Sequence, residues 1–139
     1  MRLLWIPILL VAAVAHADGP KPGNDDPIGA RLFPPELIMK HQRELGIDDK
    51  QRDTIVAEVQ KTQAQIVPLQ WQMQGASEAM AKLLDAPRID EAKVLAQADK
   101  VMAIERDFKR AHLTLLIRIR NLLTESQRSK LMELRKEAP

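Results

Sequence analysis

The sequence predicts an all-α protein of four helices, the middle two forming a long antiparallel hairpin between a short first and a short last helix. Apolar residues recur at alternating spacings of four and three through two long stretches, which is the period of a helix with one buried stripe. Aromatic residues make up 3% of the chain, Tyr is absent, and there are five Gly in 139 residues, so the core is aliphatic and the punctuation of a many-turned β fold is lacking. Residues 48–51 and 124–127 both read as helix-opening capping boxes. The 45% apolar content supports one packed core, and one small domain is the expectation at this length.

The chain opens with Arg2, the apolar run Leu3 to Val14, and Ala15-His16-Ala17. This is the pattern of a secretory signal peptide cleaved after Ala17, with an apolar run too short for a comfortable membrane span. Residues 1–17 are therefore assigned to the signal peptide and the mature protein to the periplasm. Cysteine is absent, which excludes disulfides, thiol catalysis, thiolate metal sites and a lipidated Cys. Without Arg2 the chain carries 20 basic and 19 acidic side chains. So balanced a charge gives no reason to expect a nucleic-acid partner.

Residues 18–34 are read as a flexible leader, because residues 18–35 hold five of the nine Pro and three of the five Gly. The helical domain is assigned to residues 35–137. Pro34-Pro35 suits a helix start, and Leu37, Ile38 and Leu45 give the first helix, Glu36 to Leu45, an apolar side before Gly46 stops it. Asp48 as N-cap with Gln51 opens a second helix that runs to Leu84. Its seam is Ile55, Val59, Thr62, Ile66, Leu69, Met73, Ala76, Met80 and Leu83. Pro68 inside it predicts a bend near residues 64–68 rather than a break. After the short connection Asp85 to Arg88, Asp90 caps a third helix running to about Leu123. Its seam is read as Val94, Ala98, Val101, Glu105, Phe108, His112, Leu115, Ile119 and Leu122. So short a loop between two long seams means an antiparallel hairpin of coiled-coil type. Thr124 with Gln127 opens the fourth helix, with Leu131, Met132 and Leu134 apolar.

The two capping segments form a pair. Ile47-Asp48-Asp49-Lys50-Gln51 and Leu123-Thr124-Glu125-Ser126-Gln127 place an apolar residue, a cap, two polar residues and Gln at two helix starts. The second matches an LTxxQ motif in full; the first has Ile and Asp for Leu and Thr, and Asp caps as well as Thr. With this duplication across a helical hairpin in a Cys-free, exported chain, residues 35–137 resemble the Spy/CpxP family of periplasmic proteins. The resemblance implies a cradle-like homodimer and a role as ATP-independent chaperone, envelope-stress regulator or metal-responsive protein. The motif residues Asp48, Gln51, Thr124 and Gln127 are expected as helix caps.

A chaperone of this kind needs no catalytic group: basic and apolar side chains on one surface attract unfolded periplasmic chains and hold them loosely. The candidate client-binding residues are Lys109, Arg110, Arg118, Arg120 and Arg128, with Lys130, Arg135 and Lys136 nearby. A solvated charged face accounts equally well for any single one of them. Met73 and Met80 lie on the seam and read as core filler, Met39 and Met132 are less constrained, and Trp71 is off the seam.

Metal binding is the alternative. Related cobalt-nickel sensors, as the resemblance suggests, use two His four apart on the first helix, a Glu on the next, and His-x-x-x-Met before the second motif. Here Leu37 and Leu45 flank His41 at that spacing and Leu116 follows His112, so that ligand set is not reproduced. A different site from His41, Glu105 and His112, with Glu44 in reach, would suit zinc, copper or nickel if three or four donors converge. No other cofactor is called for. Phosphate loops, H-E-x-x-H and nucleophile elbows are absent, so catalysis is not expected. A second alternative is a regulatory adaptor binding the sensor domain of a membrane protein.

Overall fold

A computed structural model describes residues 26–137. The expected signal peptide, its expected cleavage site and residues 18–25 of the expected leader lie outside the described residues. Four α-helices follow one another: α1 (Pro35–Lys40), α2 (Asp49–Leu84), α3 (Glu91–Leu122) and α4 (Glu125–Glu137). There is no strand among the described residues, and α2 packs along α3 as the expected antiparallel hairpin.

The first helix is shorter than its apolar pattern predicts. α1 ends at Lys40, and residues 41–46 continue as hydrogen-bonded turn. Gly46 N donates to Arg43 O (3.2 Å) and Ile47 N to Gln42 O (3.0 Å), the bond pair of a Schellman motif, which needs a left-handed residue between them. Gly46 supplies it at φ 63. A side chain there would be strained.

α2 keeps the predicted seam along its whole length and runs through the exposed Pro68 without a break. α3 corrects its seam at three places, the first being Gln97, which is buried beside the half-buried Ala98. Glu105 and His112 are exposed, and Ile104 and Ala111, one residue earlier, face inward instead. Spacings of three and four are kept by Val94, Gln97, Val101, Ile104, Phe108, Ala111 and Leu115, and an unpaired carboxylate or imidazole is spared a costly burial.

The core lies at one end of the hairpin. Phe33, Ile38, Leu45, Ile55, Leu115, Ile119, Leu123, Leu131 and Leu134 form one buried cluster, drawing on every helix. Each such side chain contributes about 1.5–3 kcal/mol when fully buried. Toward the loop at residues 85–90 no third layer covers the hairpin among the described residues, and Ile66, Leu69, Met73, Met80 and Leu83 are half-buried. Register there has a polar pin: Gln97 is buried and its Nε2 donates to Ala76 O at 2.9 Å, a use of a lone seam amide that fixes alignment.

Residues 26–34 correct the leader assignment. Gly29–Arg31 is a 3-10 turn, and Leu32 and Phe33 are buried at 8% and 2% exposure. Arg135 holds this segment: its guanidinium donates to Gly29 O at 3.0 Å and to Leu32 O, and stacks 5.1 Å over the Phe33 ring. Burial lowers the Arg135 pKa from its ordinary value, but arginine stays charged at any working pH. Two apolar residues inside residues 26–34, Leu32 and Phe33, decide that this stretch packs.

Candidate functional site

The paired motifs join the two ends of the hairpin. Each forms a capping box. Gln51 N donates to Asp48 Oδ1 at 2.7 Å and Asp48 N to Gln51 Oε1 at 3.4 Å. Gln127 N donates to Thr124 Oγ1 at 3.2 Å and Thr124 N to Gln127 Oε1 at 3.0 Å. The two amides then meet face to face, Gln51 Nε2 donating to Gln127 Oε1 at 2.8 Å and Gln127 Nε2 to Gln51 Oε1 at 3.1 Å. The remaining N–H of Gln51 reaches Leu122 O at 3.1 Å and that of Gln127 reaches Leu45 O at 3.2 Å. A primary amide has two donors and two lone pairs, and here all of them are used. The motifs are thus a structural lock between the α1–α2 and α3–α4 junctions. Their capping role was legible in the sequence; their pairing was not.

The outer side of α3 exposes one set of apolar residues. Leu95, Met102, Leu113 and Ile117 are 57%, 55%, 41% and 45% exposed. Separations of seven, eleven and four residues bring them to within roughly 40° of one direction at 100° per residue, opposite the seam. Arg106, Lys109 and Arg110 stand among them, and Met102, Arg106, Lys109, Arg110 and Leu113 line one shallow groove with Glu105. Following the inward seam, the sequence reading missed these apolar residues; the same count of spacings on the opposite stripe finds them.

The candidate basic residues divide by commitment. Arg118 pairs with Glu58 at 3.0 Å across the hairpin, and Arg128 donates to Leu123 O at 2.7 Å. Lys130 lies 3.6 Å from Glu133, and Arg135 holds the N-terminal segment. Among the described residues Lys109, Arg110 and Arg120 make no ion pair, and from Lys109 to Thr124 there is no acidic residue. Exposed Met39 rims a second surface, an apolar groove of about 210 Å³ between α1 and α2 lined by Pro35, Ile38, Ile47, Val56 and Val59.

The candidate metal ligands do not converge. His41 Nδ1 pairs with Glu44 Oε1 at 2.9 Å at the end of α1, whereas Glu105 and His112 are exposed on α3. Among the described residues no three His, Asp or Glu side chains are placed to hold one ion. Zinc, copper and nickel need three or four donors, so the donor set within one described chain falls short.

Trp71 is 71% exposed on the side of α2 away from α3. It sits in residues 62–77, sixteen positions without a charged side chain, near Val67 at 50% exposure and Gly75, where an added Cβ would meet open space. Met73 and Met80 are half-buried on the seam, as expected of core filler.

Comparisons with curated proteins and with solved structures find no match. A family model described as heavy-metal resistance matches residues 3–130, spanning both motifs and the whole hairpin. With the motif pair, the helical hairpin and this match in agreement, the chain belongs to the heavy-metal resistance family, within the Spy/CpxP-like superfamily of periplasmic LTxxQ proteins.

Proposed function

We infer that this protein is a periplasmic envelope-stress protein that holds unfolded clients without ATP and without catalysis. The observation that carries this reading is the outer face of α3, where exposed Leu95, Met102, Leu113 and Ile117 alternate with Arg106, Lys109 and Arg110. Cations draw in acidic segments over about a Debye length, and separated apolar residues then give weak, exchangeable contacts. Suppression of aggregation of an unrelated unfolded protein, at near-stoichiometric ratios and without nucleotide, is the expected result. In Lys109→Glu/Arg110→Glu suppression falls several-fold, and more strongly at low salt, while helicity is unchanged; equal suppression by parent and variant refutes the role of this face.

The active form in this reading is a homodimer joined through α2. Identical faces meet across a two-fold axis, so like charges on them repel; residues 62–77 carry none, and Trp71, Val67 and the open Gly75 offer apolar area and close approach. Light scattering on the parent is expected to give twice the chain mass, and Trp71→Glu a monomer with unchanged helicity. A dimeric Trp71→Glu variant removes this interface.

The family's heavy-metal description favours direct metal binding as a second reading. Micromolar or tighter binding of zinc, copper or nickel, lost in His41→Ala or His112→Ala, transfers the conclusion to it. Failure of both assays leaves the adaptor of a membrane sensor.

A further inference from the structure

We propose that the pocket between Arg31, Arg120 and Arg128 binds a phosphate-class oxyanion. Three separate pieces of chain bring these arginines to the wall of one recess: the 3-10 turn before α1, the last turn of α3 and the first turn of α4. They line a recess of about 230 Å³ with Phe33, Glu125, Ser129 and Met132. Arg120 and Arg128 are half-buried, and arginine cannot shed its charge. None of the three makes an ion pair with a described residue, Glu125 included. The fold therefore gathers three like charges on one recess, Arg31 exposed and Arg120 and Arg128 half-buried, an arrangement that favours a pocket holding an anion.

The donors point to the ligand class. Each guanidinium has five N–H groups, of which Arg31 commits one direction to Pro27 O and Arg128 one to Leu123 O; Arg120 commits none among the described residues. Ser129, also on the wall, carries a hydroxyl that is a further potential donor. Such a set suits a compact, doubly charged group rich in acceptors, which guanidinium forks bind in pairs. A carboxylate offers half the charge and two oxygens. Free inorganic phosphate and the phosphate of an anionic lipid headgroup share this chemistry. The site stands apart from the client-binding reading, since its ligand is one small group and its readout is direct binding.

The test is isothermal titration of the protein with inorganic phosphate in a low-salt buffer free of oxyanions, beside co-sedimentation with phosphatidylglycerol-containing vesicles and neutral phosphatidylcholine vesicles. Arg120→Gln breaks no hydrogen bond among the described residues, so helicity and unfolding midpoint should match the parent. It is expected to weaken binding roughly tenfold or more, the loss of a charge-assisted bond, and Arg128→Gln likewise. Binding of free phosphate that depends on Arg120 supports a site for the free anion. Binding of the anionic vesicles alone, again dependent on Arg120, supports a headgroup site in the same pocket. No binding in either arm, or binding indifferent to Arg120→Gln, overturns the proposal, whatever becomes of Arg128→Gln.

Discussion

Gln127→Ala is expected to lower the unfolding free energy by about 2–4 kcal/mol, because it strands several partly or fully buried groups at once. Gln127 is 8% exposed. Its amide caps Thr124 N, accepts from and donates to Gln51, and satisfies Leu45 O. Alanine replaces none of these bonds, and water reaches the exposed Thr124 more easily than the Leu45 carbonyl. Gln51→Ala should cost less, about 1–2 kcal/mol, since its cap is exposed and solvent can substitute. The double variant should lose less than the two single losses together, as expected of directly bonded partners. Urea unfolding followed by helical circular dichroism measures all three. Strict additivity would mean that the two amides do not act as a pair.

Gln127→Glu sharpens the same point. One carboxylate oxygen can still accept from Thr124 N and Gln51 Nε2, but the other must face Leu45 O and Gln51 Oε1, where a donor is required. The folded state therefore disfavours the charged form and raises this carboxyl above the unfolded value of about 4.3. The folded protein then binds more protons than the unfolded one between the two pKa values, so the variant's stability falls as pH rises. Its deficit against the parent should be smaller at pH 4 than at pH 7. A deficit independent of pH would show that the glutamate side chain has left the lock.

How much of this was legible without coordinates differs from element to element for physical reasons. The seam of α2 could be read because its four-three spacing runs unbroken from Ile55 to Leu83, and Val59 and Met73 on it stand between polar neighbours. α3 has apolar residues nearly all round between Leu113 and Ile119, and periodicity alone admitted Glu105 and His112 where Ile104 and Ala111 serve. Glu105 and His112, placed on that register as candidate metal ligands, lie exposed on α3, while His41 pairs with Glu44 at the end of α1. Local chemistry showed each capping box, since Asp48 with Gln51 and Thr124 with Gln127 are three residues apart. The amide pair joins residues 76 apart in sequence and depends on how the hairpin closes, which no local pattern encodes. The arginine recess is of the same kind: Arg31 meets Arg120 and Arg128 only because Phe33 anchors the turn that carries it.

That anchor is the place where sequence and structure differ most sharply, and Phe33→Ala decides between them. Phe33 is 2% exposed within the core cluster, so truncation is expected to cost about 3–5 kcal/mol through lost burial and the cavity left behind. For a domain of about this size each kcal/mol lowers the melting temperature by roughly 4–8 °C, giving a fall on the order of 10 °C or more. Part of the loss is indirect. The Phe33 ring holds the Arg135 guanidinium at 5.1 Å, and Arg135 in turn ties down Gly29 O and Leu32 O. Arg135→Met keeps much of the apolar stem and removes the donors, so it should cost clearly less than Phe33→Ala while loosening residues 26–32 to proteolysis. Were Phe33→Ala to cost less than about 1 kcal/mol, within the range of a surface substitution, residues 26–34 would be the unanchored leader that their proline and glycine content suggests. The core would then begin at Pro35, and Arg31 would have no fixed place beside Arg120 and Arg128.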